Sequence, residues 1–214
     1  FNMALGGGAE FCLHSDAINA YAETYMGLVE IGVGLLPGGG GTKEMSLRAI
    51  QLAQQNKTDV QPFIIKNFEQ IAMAKVSMGA AELFGMDYMR NGDSITMDID
   101  TLIGDAKQKV LALAVNYRPK RPVENIPAPG RGIAAAIKSQ LWNMQMGNVI
   151  TEYEAEMGTI IAQVMCGGDV NPGTLITEEY LLQLERESFL KLCGNKKTAE
   201  RIQHMLKTGK ALRN

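Results

Sequence analysis

The chain has 214 residues, 46% of them hydrophobic, and carries 21 Lys and Arg against 23 Asp and Glu for a formal net charge of −2. That length and composition can bury a sizeable core and lie far from those of a disordered chain. The near-neutral charge and a pI near 5.8 argue against nucleic acid as a partner, and no run approaches the roughly 20 apolar residues of a membrane span.

The chain opens on Phe1-Asn2-Met3 without an initiator Met, as if inside a strand end, which reads as a fragment of something longer. Next comes Ala4-Leu5-Gly6-Gly7-Gly8-Ala9-Glu10. Three glycines remove every Cβ from one turn, so the backbone can approach a ligand and adopt φ angles closed to other residues. Residues 9–13 are compatible with helix, which would make the turn a helix N-terminus with free amides and Glu10 in its first turn. A carboxylate beside an anion-stabilising amide suits proton transfer next to a carbonyl. Taken alone, the same residues are more simply described as an ordinary glycine turn with a carboxylate placed for the helix dipole.

A short alternating run over 15–22 predicts a strand, and 24–29 continues toward Glu30. Residues 31–42 then form a second glycine loop, where Pro37 and Gly38 to Gly41 preclude regular structure until a helix begins near Thr42. Gly32-Val33-Gly34 matches only the start of a dinucleotide-binding GxGxxG, and Thr42-Lys43-Glu44 replaces the Gly-Lys-Ser/Thr of a phosphate loop. Neither phosphate motif is present.

The remainder reads as mostly helical. Helices are predicted over 42–56, over 60–78 with Phe63, Ile64, Phe68, Ile71 and Met78 at helical spacing, and briefly over 79–90, ending at Gly85. The turn Asn91-Gly92-Asp93 precedes a strand over 94–97 and a helix over 100–116, with Ile103, Ala106, Val110 and Leu113 on one face. Four of the seven prolines fall in 118–130, an extended connection that divides the chain into parts 1–117 and 131–214. Helices follow over 132–146, 148–165, 177–193 and 195–207; the apolar stripe Ile150, Tyr153, Met157, Ile160, Ile161, Val164 marks core or subunit interface. Adaptable helix packing is the plain reading of the 13 methionines.

Cys12, Cys166 and Cys193 are odd in number and widely spaced, which gives neither a metal pattern nor a disulfide framework and fits a reducing cytoplasm. His14, four residues after Glu10, reads as structural, and His204 has no partner at ligand spacing, so no metal is assigned. From Arg186 onward eight Lys and Arg face two acids, a local charge of +6 against −8 for the rest. A solvated basic face explains this more simply than contact with phosphates.

Glu10, Asp16, Glu30 twenty residues past Glu10, and Gly34-Leu35-Leu36-Pro37-Gly38-Gly39-Gly40-Gly41-Thr42 together resemble the signature region of the crotonase (enoyl-CoA hydratase/isomerase) superfamily. The segments Val164 to Asp169, Leu184-Glu185-Arg186-Glu187 and Gly209 to Asn214 are similar to bacterial fusions of a 3-hydroxyacyl-CoA dehydrogenase with a C-terminal hydratase module. The resemblance implies an α/β fold: the C-terminal part of a crotonase-like β/α spiral core, its N-terminal half absent, followed by a mostly helical region that packs in trimers. It implies syn hydration of trans-2-enoyl-CoA in fatty-acid β-oxidation, with Glu10 and Glu30 as the catalytic pair and the Gly7 amide as an oxyanion donor. Gly6, Gly8, Leu35, Pro37 and Gly38 would contact acyl-CoA. The family's N-terminal half carries the second oxyanion donor and the grip on the CoA adenine, and no residue here matches it, so this piece alone is expected to be inactive. The implied protein is cytoplasmic and oligomeric, and NAD would serve only the dehydrogenase portion. Two alternatives stand beside hydration: enoyl-CoA isomerisation, which needs one carboxylate, and a non-catalytic helical docking or oligomerisation piece.

Overall fold

The computed structural model describes residues 2–214, so Phe1 lies outside the described residues. The strand end expected at the start is β1 (Met3–Leu5), followed at once by α1 (Gly7–Leu13), β2 (Asn19–Tyr21) and β3 (Tyr25–Gly27). β1 pairs in parallel with β3, Met3 opposite Tyr25 and Leu5 opposite Gly27. A parallel neighbour requires a crossover, and α1 supplies it. β2 pairs in parallel with β4 (Ser94–Thr96), which lies 75 residues on, so this second ribbon is a long-range pairing. The predicted strand over 15–22 is shorter because Ser15 still closes α1, donating its amide to the Cys12 carbonyl, and the chain turns before Ile18 donates to Asp93 Oδ1.

The glycine loop is less irregular than the sequence suggests. It begins as a 3-10 turn, η1 (Glu30–Val33), closed by Gly34 at φ 85°, and α2 (Gly41–Asn56) starts one residue early. α2 buries Met45, Ala49, Ile50 and Ala53. It also buries Arg48, whose guanidinium reaches Glu44 Oε1 at 2.9 Å, the carbonyls of Asp87 and Tyr88, and the Leu13 carbonyl at the end of α1. One guanidinium with four hydrogen bonds thus fastens α1 and the segment after α4 (Glu82–Gly85) to α2.

α3 (Gln61–Ala72) stops six residues before the predicted end at Met78. Ala74 takes a left-handed φ of 48°, and Ser77 then bonds β3 on both sides, its amide to the Met26 carbonyl and its hydroxyl accepting the Met26 amide at 2.9 Å. Backbone pairing with β3 outcompetes continuation of the helix, which leaves Met73 and Met78 exposed. Beyond β4, α5 (Leu102–Ala114) matches its predicted helix but not a buried apolar face: only Leu102 is buried, while Ile103, Val110, Leu111 and Leu113 are exposed.

After the proline-rich connection, β5 (Ile126–Pro127) and β6 (Leu175–Ile176) form a small antiparallel ribbon around α6 (Arg131–Met146) and α7 (Glu152–Met165), and α8 (Glu178–Cys193) and α9 (Lys196–Thr208) follow. α7 begins four residues later than predicted, because Thr151 and Glu154 form a capping box that fixes its start. Its stripe Tyr153, Met157, Ile160, Ile161 and Val164 is core. Gly158 lets α6 close in: a Cβ there would lie 2.9 Å from Leu141 Cδ1. Ser46 on α2 donates to the Met165 carbonyl at 2.6 Å, and one apolar cluster runs from Ala9 to Leu192 through both parts of the chain. Packing explains only some of the methionines, since Met26, Met45, Met89, Met157 and Met165 are buried whereas Met3, Met97 and Met146 are exposed. No described helix is long and apolar enough to cross a membrane.

Candidate functional site

The first glycine turn adopts a conformation that only glycine tolerates: Gly6 sits at φ 56°, ψ −126° before α1, its amide held by the Gly27 carbonyl at 2.9 Å. Gly7 and Gly8 begin the helix with both backbones exposed, and a Cβ added to either would meet nothing within 4 Å. These two glycines therefore border open space. Gly6 itself is buried, and a Cβ there would stand 3.1 Å from Glu30 Oε1.

The turn brings the two predicted glutamates to one place and treats them differently. Glu10, 8% exposed, directs Oε1 at the second glycine loop and accepts the amides of Gly39 at 2.7 Å and Gly41 at 2.8 Å. Glycine is needed on that side, since a Cβ on Gly39 would lie 2.6 Å from Glu10 Oε2 and one on Gly41 2.7 Å from Oε1. Glu30 opens η1, and both of its carboxylate oxygens are buried without a hydrogen-bond partner. Burial pushes the Glu30 carboxyl up to about 7, with the charge of Glu10 adding to it; the amides of Glu30 and Val29 oppose the rise without reaching hydrogen-bond geometry.

A buried carboxyl left without donors is costly unless it holds a proton. Glu30 is thus a group that can carry a proton near neutral pH, next to an anchored carboxylate and two exposed amides. That set can deliver a proton to one atom, accept one from a water, and stabilise charge on an oxygen between them.

The other predicted contacts fall around this centre. Leu35 packs half-buried against the core. Pro37 is buried, and its carbonyl accepts the Thr42 hydroxyl at 2.9 Å. Gly38 faces the Phe189 ring so closely that a side chain there would overlap it. His14 is structural as expected, its Nδ1 2.7 Å from the Glu10 carbonyl and its Nε2 3.1 Å from Lys43 Nζ. No group of residues able to hold a metal ion occurs among the described residues.

Sequence reasoning missed what stands behind the site. Thr198 on α9 donates to the Gly34 carbonyl at 2.8 Å and shares a short hydrogen bond with the Tyr153 hydroxyl. Arg201, counted in the basic tail, is 2% exposed; it reaches the Ile31 carbonyl at 3.4 Å and lies over the Tyr153 ring. The tail is therefore not wholly a solvated face. On α8, Glu185 is 1% exposed and accepts the amides of Gly40 at 2.6 Å and Lys43 at 2.8 Å. The available signal was a carboxylate in the apolar register of Leu181 and Leu192, where a charge is costly unless paired.

No family model matches the chain. It is 44% identical over 216 residues to the "Probable 3-hydroxyacyl-CoA dehydrogenase" of Bacillus subtilis, an alignment that spans 100% of this chain and 27% of that protein. A Rickettsia felis protein named a fatty acid oxidation complex trifunctional enzyme is 31% identical over 205 residues, 96% of this chain and 25% of its own length. The chain thus spans about a quarter of the length of the curated relatives it matches. Among solved structures, carnitinyl-CoA hydratase from Mycobacterium avium superposes with a TM-score of 0.52 at 16% identity, covering 98% of this chain and 59% of that one.

Proposed function

The chain has the crotonase-superfamily fold and is homologous along its whole length to about a quarter of a 3-hydroxyacyl-CoA dehydrogenase, and from that premise we propose that it supplies the glutamate pair of an enoyl-CoA hydratase site acting in β-oxidation. The single observation that carries the reading is the contrast at the glycine turn: a buried, donor-free Glu30 beside a Glu10 fixed by two amides.

Hydration adds the elements of water across the α,β double bond of a trans-2-enoyl thioester. Glu10 accepts a proton from the water whose oxygen bonds the β-carbon. Protonated Glu30 gives its proton to the α-carbon, and the π electrons of the double bond form that new C–H bond by way of an enolate-like state. Negative charge gathers meanwhile on the thioester oxygen, where the exposed Gly7 amide donates; one such donor is worth about 10²–10³ in rate elsewhere. Passing a proton from Glu10 back to Glu30 resets the pair. Gly7 and Gly8 meet the thioester in this reading, while Gly6, Leu35, Pro37 and Gly38 shape the walls that hold the two carboxylates. Two differently protonated carboxylates favour hydration over isomerisation, which needs one.

The dehydrogenase activity, with its NAD, belongs in this reading to other residues of a longer cytoplasmic, oligomeric protein. The Gly32-Val33-Gly34 segment does not fit a dinucleotide: it lies in the 3-10 turn, and Thr198 fills the space beside Gly34, where a Cβ would stand 2.9 Å from Oγ1. Loss of the conjugated-thioester absorbance of crotonyl-CoA, followed with the intact gene product, tests the proposal. Undiminished turnover in either Glu10→Gln or Glu30→Gln sinks it.

A further inference from the structure

The amides of residues 39–43 point alternately to two buried carboxylates. Gly39 and Gly41 donate to Glu10, and Gly40 and Lys43 donate to Glu185. Glu10 comes from α1 at the start of the chain, whereas Glu185 lies 145 residues beyond Gly40 on α8. We propose that Glu185 is a positioning residue for the proposed hydration: by holding the far side of loop 39–43 it aims the Gly39 and Gly41 amides that orient Glu10.

Three observations converge on this role. The first is that two like charges are kept on opposite sides of one peptide segment, against their mutual repulsion and the cost of burial. A cap for α2 alone could come from a local Ser, Thr, Asp or Asn side chain. Yet Gly40 occupies the N-cap position with no side-chain bond of its own. The second is that α8 grips the same loop at two further points. Phe189, one turn after Glu185, fills the space left by Gly38, and Glu178 pairs with buried Lys43 at 2.8 Å. The third is the chemistry of the acceptor. Both Glu185 oxygens are taken, each by an amide N–H. A carboxylate satisfies two donors at once, whereas the carboxamide of glutamine would turn an N–H₂ group toward one of them.

The inference rests on the hydratase reading, and a double-mutant cycle on the intact gene product separates the two. Glu185→Gln is expected to lower kcat for crotonyl-CoA hydration by about 10-fold with KM within twofold, because the loop positions a proton acceptor rather than the acyl group. In a Glu10→Gln background the same change is expected to lower kcat no further, since its route to the chemistry is already cut. A purely structural residue would lose activity in both backgrounds. Wild-type kcat in Glu185→Gln, or a loss that multiplies with that of Glu10→Gln, overturns the inference and leaves the hydratase reading standing. Undiminished turnover in Glu10→Gln takes down both. Should Glu185→Gln fail to fold, Glu185→Asp keeps the charge but shortens its reach by one methylene. Faster amide exchange in residues 39–43 together with a several-fold lower kcat supports the role, and unchanged exchange and kcat overturn it.

Discussion

Glu10 and Glu30 stand on either side of one glycine turn, yet the chain surrounds them in opposite ways. Around Glu10 the backbone converges: two amides bind one oxygen, and the missing side chains of Gly39 and Gly41 make room for them. Around Glu30 no donor reaches hydrogen-bond geometry, so both oxygens are buried and bare. A carboxylate bonded by amides has a fixed direction, and one deprived of them has a raised affinity for a proton. Two chemically identical side chains thus acquire different tasks from their surroundings alone.

The largest expected effect comes from removing either member. Glu10→Gln and Glu30→Gln should each lower crotonyl-CoA turnover by about 10²–10⁴, the usual span for losing a positioned acid or base. Their structural consequences should differ, and thermal denaturation reads the difference. Glutamine at position 30 removes a buried acid that has no partner, so stability is kept or improved. At position 10 the glutamine carbonyl takes the place of Oε1 and keeps both amides, losing only the charge on the acceptor, at a cost of about 1 kcal/mol.

How far these tasks were legible in the sequence follows the same division. The glycine turn with Glu10 in the first turn of its helix and the helix ends at Asn56 and Cys193 are local features, written in residue spacing, whereas Glu30 joins Glu10 only through the family resemblance. Where tertiary pairing decides, local patterns mislead. The apolar spacing from Phe63 to Met78 continues past Ala72, but Ser77 is committed to β3. Arg201 reads as a surface charge and Glu185 goes unremarked as a site residue because their partners, Ile31 and Gly40, lie 170 and 145 residues away. Nothing in a helical stretch announces a carbonyl or amide arriving from so far along the chain.

A smaller effect tests the anchoring of Glu10 without touching a carboxylate. Gly39→Ala would set a Cβ 2.6 Å from Glu10 Oε2, forcing the carboxylate off its amides. Turnover should fall by about 10-fold with KM little changed, because a misplaced proton acceptor costs rate rather than binding. Gly8→Ala, whose Cβ would meet nothing within 4 Å, is the matched control for an added methyl and should leave the protein as stable as wild type.

The bareness of Glu30 is tested by pH. Its carboxyl titrates at about 7 in the fold, against 4.5 for the free group, so the folded state binds the proton more tightly than the unfolded state does. The stability this contributes is complete below about pH 4.5 and is lost as pH rises through 7. The loss should be roughly 2 kcal/mol by pH 8 once partial solvent screening is allowed for. Glu30→Gln should therefore gain melting temperature relative to wild type at pH 8 but not at pH 4. Glu185, also pushed up to about 7 by burial, contributes with the same sign, so the variant flattens the profile without abolishing it. Turnover should decline above pH 7 as the proton donor is lost.

The smallest effects separate the helices that support the site from the site itself. Thr198→Ala removes the hydroxyl that ties α9 to the Gly34 carbonyl and leaves the buried Tyr153 hydroxyl without its partner. About 1–3 kcal/mol of stability should be lost, with turnover falling severalfold because η1 carries Glu30. Thr151→Ala breaks the capping box of α7, worth about 1 kcal/mol. Although α7 packs against α2, the lost cap lies at the far end of a helix fastened to it by Ser46 and the Met165 carbonyl. Denaturation should therefore register the Thr151 change and steady-state kinetics should not. If turnover falls in Thr151→Ala as much as in Thr198→Ala, the two carboxylates are not held locally by loop 39–43 and η1, and the division drawn between them gives way to one general dependence of the site on stability.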